Sequence, residues 1–155
     1  MTDPRDDLLR ALRDAYAMER HAESLLKSQV ARSTPYAEIN ARIEAHLTET
    51  QANQESLTSC LERINASDPI PHTVADGLGA TIETGNVVQT TDEVVRNLAS
   101  LYALKQQEIA SYALLIAIAE ASGFFETKIV CEAIVLQQTA MADWLLEHLP
   151  PATRA

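Results

Sequence analysis

Acidic side chains and one histidine interrupt rows of apolar residues that recur at helical spacing. Glu19, His46 and Glu108 each lie in such a row, and Glu49 follows His46 by three residues. Residues three apart share one face of a helix. A carboxylate or an imidazole inside a helical bundle is costly unless it is paired or binds a metal. Carboxylate oxygen and imidazole nitrogen suit iron, manganese or zinc, so metal binding is the first hypothesis.

A lysine in the third helix and an amide in the last helix, both in rows predicted to face inward, argue against a complete metal centre. In di-metal bundles two helices each supply one carboxylate, and the other two each supply a Glu and a His three apart. Lys105 lies three residues before Glu108, so an ion pair between them is the simpler prediction. Glu132 lies beside the row predicted to face inward in the last helix. That row consists of Val130, Ala133, Gln137, Ala140 and Trp144.

Four long helices are predicted to position these side chains. Apolar residues at steps of three and four indicate helices that start at Asp3-Pro4, at Thr34-Pro35, near Thr90 and near Phe125. A capping residue followed by proline is a helix start signal. Gly123 fits a C-cap or a turn before the last helix, which we expect to end at Leu149 because two prolines follow.

The middle connection is much longer than the other two. Residues 65–90 carry prolines, three glycines and only a weak helical pattern, which predicts a crossover with one short helix. Four helices with one long crossover are typical of ferritin-like proteins. We therefore predict an all-α, ferritin-like four-helix bundle as a single domain over residues 1–150, with a short tail over residues 151–155.

Composition excludes several classes of protein. The 155 residues carry 12 Lys and Arg against 22 Asp and Glu, a net charge of -10, which argues against nucleic acid as a partner. No apolar run reaches the roughly 18 residues of a membrane helix, and the first residues lack the apolar stretch of a signal peptide. We expect no membrane association and a cytoplasmic location, in which Cys60 and Cys131 are packed thiols.

Part of the last helix is apolar around nearly its whole circumference. A bundle helix with one solvent face would not show this pattern, and residues 113–119 of the third helix are similar. The extra apolar faces indicate a subunit interface, most simply in a two-fold homodimer. Coverage by the crossover is the alternative. The residues concerned are Ile129, Val130, Cys131, Ala133, Ile134, Val135 and Leu136.

The chain resembles the YciE/YciF-like family of ferritin-like, stress-associated bacterial proteins. Matching stretches occur in the same order at residues 12–19, 46–51, 75–78 and 108–112. The second reads His-Leu-Thr-Glu-Thr-Gln against a family pattern of His-Leu-Glu-Glu-Thr. The resemblance implies a homodimer with a di-metal site in the bundle. The retained site positions would be Glu19, His46, Glu49 and Glu108.

Two departures from the family pattern concern the metal site itself. Where the family has Glu-His-Tyr-Glu-Ile, this chain has Lys105 in place of the first Glu. The acidic run of the family's last helix, aligned without gaps, falls on residues 133–139, which hold no carboxylate. We therefore predict a degenerate site in which the Lys105 ammonium pairs with one of the glutamates, Glu19, Glu49 or Glu108, in place of a metal.

Two functions follow from these alternatives. The first is a non-catalytic binding or structural module, associated with stress by resemblance, that needs no cofactor. The second is a metal-dependent oxidoreductase or iron-handling protein that holds iron or manganese with the reduced set Glu19, His46, Glu49 and Glu108. A subunit of an iron-storage cage is disfavoured because nothing in the sequence marks the many interfaces of a cage.

Overall fold

The computed structural model describes residues 3–32, 36–64 and 91–153, which form four α-helices. They are α1 (Pro4–Ala31), α2 (Ala37–Ile64), α3 (Thr91–Ser122) and α4 (Phe125–Thr153). The described ranges contain no strand, which confirms the predicted all-α bundle. The expected crossover with its short helix, and the start signals at residues 34–35 and 90, lie outside the described residues.

The predicted inward faces of the first three helices are confirmed. In α1 the Asp3 carboxylate accepts a hydrogen bond from the Arg5 backbone at 3.0 Å, and Pro4 occupies the first turn. The rows predicted to face inward run from Leu8 to Leu26 in α1, from Ile39 to Ile64 in α2 and from Val94 to Ala119 in α3, at steps of three and four. All their members are buried except Ile64, which is half-buried. α1 packs against α2 and α3, and α4 packs against α3 and α2. Each helix therefore has two neighbours, as in a four-helix bundle.

Two apolar clusters fill the bundle, and a polar layer separates them. Leu8, Leu12, Leu57, Leu115 and Cys131 belong to the cluster at one end of the bundle. The other end contains Leu26, Ile43, Leu98, Met141 and Leu145. On every helix the residues between these two sets include buried polar side chains. They are Glu19, Glu23, His46, Thr50, Asn53, Gln54, Lys105, Glu108 and Gln138.

The predicted inward face of α4 was wrong by one position. Gln138 is fully buried, whereas Gln137 is half-buried and Glu132 is exposed. The pattern failed here because α4 is apolar on several sides, so periodicity does not define a single face. α4 also continues to Thr153 rather than ending at Leu149, since the fixed φ of proline is itself close to a helical value. The buried row is Thr127, Cys131, Ile134, Gln138, Met141 and Leu145.

Gly123 makes the tight turn between α3 and α4, as predicted. Its φ is +79°, a left-handed value that favours glycine. The Gly123 N–H donates to the Glu120 carbonyl at 3.2 Å, and the Phe124 N–H donates to the Ala119 carbonyl at 2.9 Å. These two bonds form a Schellman motif, which satisfies carbonyls that the end of α3 would leave free.

Large apolar side chains remain exposed on α3 and α4. Leu114, Phe125, Ile129, Leu136 and Leu146 are each more than half exposed. Over Phe125–Leu149, α4 is long and apolar enough to span a membrane by length and composition alone. Core helices of bundles pass the same test. We call the five exposed side chains the outer apolar face.

Candidate functional site in the polar layer

Lys105 joins α3 to α4 in the middle of the bundle. Its side chain is fully buried, as is that of Glu108. Lys105 Nζ donates to Glu108 Oε2 at 2.9 Å and to Gln138 Oε1 at 2.9 Å. The predicted ion pair between Lys105 and Glu108 is therefore present, and a glutamine of α4 completes it.

Glu19 receives two hydrogen bonds from the same layer. Its Oε1 accepts from Tyr112 OH at 2.6 Å and from Gln138 Nε2 at 2.9 Å. The Gln138 amide thus binds the lysine ammonium with its oxygen and the Glu19 carboxylate with its nitrogen. One continuous network consequently joins α1, α3 and α4.

His46 is buried beside this network, and the partly exposed Glu49 contacts its ring. His46 Nδ1 lies 2.9 Å from Glu49 Oε1, which also lies 3.5 Å from Arg42 Nη1. Burial lowers the pKa of His46 to about 2, and the positive charges of Lys105 and Arg42 act in the same direction. The imidazole is therefore neutral at pH 7, and its Nδ1–H donates to Glu49.

Burial also perturbs the two carboxyl groups of the layer. It raises the pKa of Glu19 to about 7, and the Glu108 charge adds to this effect, while Tyr112, Lys105 and Gln138 oppose it. Burial raises the pKa of Glu108 as well, against the attraction of Lys105. Burial and the neighbouring Glu19 raise the pKa of Tyr112 well above its usual value. Tyr112 therefore stays a hydrogen-bond donor.

Comparison with known proteins assigns the chain to a family. The profile of DUF892, a domain of unknown function, matches residues 3–155. The chain belongs to the DUF892 family. A crystal structure of a Xanthomonas campestris protein is 33% identical, covers 99% of this chain and 95% of that one, and has a TM-score of 0.81. The Escherichia coli stress protein YciF is 20% identical, with 99% of each chain covered and a TM-score of 0.78.

The comparisons confirm the predicted resemblance at the level of family and fold. The DUF892 match spans the described bundle and the connecting residues. The YciF structure shares the helical bundle over almost its full length. The YciE/YciF-like resemblance inferred from four short stretches therefore reflects the whole chain.

The polar layer of this DUF892 protein does not fit a di-metal centre. Glu19, His46 and Glu108 lie in the layer, but Glu49 lies at its edge with a side chain 35% exposed. The Lys105 ammonium already binds one oxygen of Glu108, and its positive charge opposes a cation. Within residues 3–32, 36–64 and 91–153, no group of three or more His, Cys, Asp or Glu is arranged to hold a metal ion.

Two members of the network were not predicted as site residues. Tyr112 is not among the predicted metal ligands, and its hydroxyl donates to Glu19 Oε1 at 2.6 Å. Gln138 was assigned away from the interior because the face of α4 was misjudged. The spacing of Tyr112 four residues after Glu108 could have identified the tyrosine, since residues i and i+4 share a helix face.

Proposed function

We propose that this DUF892 protein is a non-catalytic bundle module whose di-metal site has been replaced by a lysine-centred network. The observation that carries the proposal is the fully buried Lys105 ammonium, 2.9 Å from Glu108 and 2.9 Å from Gln138. A fixed ammonium supplies positive charge where a bundle of this kind would otherwise need a cation. It also joins α3 to α4 without a cofactor.

The charges of the layer support this assignment. Two divalent metal ions bring about four positive charges and need several carboxylates around them. Glu19 and Glu108 are the carboxylates buried in the network, and α4 contributes an amide instead of a third. Lys105 neutralises Glu108, and the raised pKa of Glu19 lets that group carry a proton near pH 7. The network of Glu19, Lys105, Glu108 and Gln138 thus approaches neutrality without a metal.

A specific observation supports a second candidate, a metal-dependent oxidoreductase or iron-handling protein. Glu19 Oε2 and Glu108 Oε1 are buried and have no hydrogen-bond partner among the described residues. Buried carboxylate oxygens of this kind are available as ligands for iron or manganese. With His46 and Glu49 they would form the reduced ligand set. This candidate requires the Lys105 side chain to move away from Glu108.

The cellular setting belongs to the same proposal. E. coli YciF is described as a stress protein, and we place this chain in a comparable stress-associated role in the cytoplasm. We also propose that it is a homodimer in which the outer apolar face is covered by a second copy. Leu114, Ile129 and Leu136 are each more than 60% exposed, and apolar patches on bundle helices are typical of subunit interfaces.

Metal loading distinguishes the two candidates. The purified chain is stripped with a chelator and incubated without oxygen with iron(II) or manganese(II). It is then desalted and analysed for metal by mass spectrometry. We expect background metal in the wild-type protein. One or two ions per wild-type chain would reject the lysine replacement and support the metal-dependent candidate.

A rebuilt site provides the positive control for metal loading. Lys105→Glu with Gln138→Glu removes the ammonium and adds a carboxylate on each of α3 and α4. We expect this variant to bind metal and to gain thermal stability when metal is added. The matched control is Gln106→Glu with Gln107→Glu, which adds two carboxylates at exposed positions of α3. We expect this control to bind no more metal than the wild-type chain.

A further inference from the structure

A primary amine and a carboxamide lie against each other in the bundle core. Lys105 Nζ is 2.9 Å from Gln138 Oε1, and both side chains are fully buried. The amide carbon is one C=O bond of about 1.23 Å from that oxygen, so it lies at most about 4.1 Å from Nζ. Reacting atoms about 3–3.5 Å apart are in near-attack position. A small movement of the flexible Lys105 side chain would bring Nζ within this distance of the Gln138 amide carbon.

Two carboxyl groups flank this pair at the places where protons must move. Glu108 Oε2 lies 2.9 Å from Nζ, within the distance over which a general base acts. Glu19 Oε1 accepts from Gln138 Nε2 at 2.9 Å, so it contacts the nitrogen that an attack on the amide would release. Tyr112 holds Glu19 in this position with a 2.6 Å hydrogen bond.

The layer also disfavours the competing reaction with water. The network lies between two apolar clusters, and none of Glu19, Lys105, Glu108 or Gln138 is exposed. Exclusion of water suppresses hydrolysis and strengthens the electrostatic effect of the two carboxyl groups. Because the amine and the amide are held next to each other in one chain, their effective molarity can reach about 10⁵–10⁸ M in favourable cases.

We propose that Lys105 and Gln138 react to form an isopeptide bond that cross-links α3 to α4 and releases ammonia. Glu108 takes one proton from the lysine ammonium, and the free amine attacks the amide carbon of Gln138. Glu19 then accepts a second proton from Nζ and passes it to Nε2. The bond between the amide carbon and Nε2 breaks with its electron pair on nitrogen.

The products balance without an oxidant, a reductant or a metal. Ammonia leaves and carries away the proton held by Glu108 as ammonium, and a secondary amide remains between the two side chains. The chain loses one positive charge and the mass of one ammonia molecule. The proposal rests on the same buried placement of Lys105 as the proposed function: the ammonium occupies the layer until the reaction, and the neutral amide link then joins α3 to α4 in its place. It does not rest on the absence of bound metal.

Intact-mass analysis of the purified full-length chain under denaturing conditions tests the cross-link. We expect a mass lower than the sequence mass by one ammonia. A protease digest should contain one branched species in which the peptides of Lys105 and Gln138 are joined. The full sequence mass after prolonged incubation of the folded protein would overturn the proposal. Loss of water instead of ammonia would place the bond at Glu108 and would equally overturn it.

Variants assign the mass loss to these two residues. Lys105→Arg keeps the positive charge but removes the primary amine, and Gln138→Met removes the amide. Both should have their full sequence mass, with circular dichroism used to select folded protein. The controls Lys128→Arg and Gln137→Met change neighbouring side chains of α4 outside the network and should still lose ammonia. Retention of the loss in either network variant, or its absence in both controls, would refute the assignment.

The cross-link and the proposed function fail in different experiments. A chain of full mass that binds no metal would overturn the cross-link and leave the lysine replacement intact. A chain that binds iron or manganese would overturn the lysine replacement whatever its mass. Glu19→Gln provides a further readout, because it keeps the hydrogen bonds of Glu19 but removes its ability to carry the proton. We expect it to slow ammonia loss during incubation of freshly refolded protein.

Discussion

Lys105 connects the buried charged and polar side chains of the layer. A buried ion pair adds little net stability, but removal of one partner leaves an uncompensated charge in the core. Lys105 bonds both Glu108 and Gln138, and Gln138 in turn bonds Glu19. The energetic importance of the lysine therefore extends across three helices.

Replacement of Lys105 by methionine should destabilise the fold strongly. Measured against wild-type chain that still has its full mass, we expect Lys105→Met to lower the free energy of unfolding by about 3–5 kcal/mol, because Glu108 would remain buried without its cation. Urea denaturation measures the change. Lys27→Met is the matched control, since the Lys27 side chain is 57% exposed in its pair with Glu23 and should contribute less than about 1 kcal/mol. Equal small losses in both variants would contradict the account.

Glu19 should make stability depend on pH in a defined direction. Its pKa is raised from 4.5 to about 7 by burial, so between these values the folded chain keeps a proton that the unfolded chain has lost. The contribution of this group is present below pH 4.5 and is lost as the pH rises through 7. Its size is about 3 kcal/mol, at about 1.4 kcal/mol per pKa unit.

Glu19→Gln removes this pH dependence and isolates it. We expect the free energy of unfolding of the variant, relative to wild type, to rise between pH 4.5 and 7. Glu132→Gln changes an exposed glutamate of α4 and should show no such trend. Parallel stability profiles for Glu19→Gln and wild type would show that Glu19 ionises normally in the folded chain.

At the residue scale, the sequence identified the charged members of the site more readily than the neutral ones. Glu19, His46, Lys105 and Glu108 are conspicuous because charged or ionisable groups in an apolar row violate the helical pattern. The sequence does not show whether Gln137 or Gln138 faces the bundle interior, because that depends on how α4 is rotated about its own axis. The depth of each side chain within the layer, including the edge position of Glu49, depends on how the helices pack. Residue spacing along the sequence does not determine that packing.

At the element scale, success followed the contrast between helix faces. α1, α2 and the part of α3 before residue 113 each have one apolar and one polar side, so the residues predicted to face inward there are buried, apart from Ile64. α4 lacks that contrast, and the prediction was displaced by one residue. Its end was also misplaced, since proline removes a hydrogen bond without leaving helical dihedral angles.

The α3–α4 turn offers a prediction at this same scale. Gly123 has a φ of +79°, and a Cβ added there would meet nothing within 4 Å. We expect Gly123→Ala to lower the free energy of unfolding by about 1 kcal/mol through backbone strain alone. Gly123→Asn should lower it less, because asparagine tolerates the left-handed region. Thermal or urea unfolding compares them, and an alanine variant as stable as wild type would contradict the strain.

At the scale of the whole molecule, the proposed homodimer would cover the outer apolar face. We expect the wild-type chain to scatter light as a dimer at micromolar concentration and Leu136→Glu to scatter as a monomer. Leu136 is 70% exposed on α4, so a glutamate there is tolerated by the monomer but not in an apolar interface. Leu25→Glu, at a residue 40% exposed on α1, should remain dimeric. A monomeric wild-type chain would reject the dimer.

We propose that a lysine ammonium replaces a metal in the polar layer, and one measurement tests this most directly. A crystal structure of the wild-type chain grown with manganese(II), with anomalous scattering recorded for the metal, shows what lies between Glu19 and Glu108. The account predicts the Lys105 side chain extended to Glu108 and Gln138, with no anomalous peak in the polar layer. An anomalous peak bonded to Glu19 and Glu108, with Lys105 displaced, would contradict it.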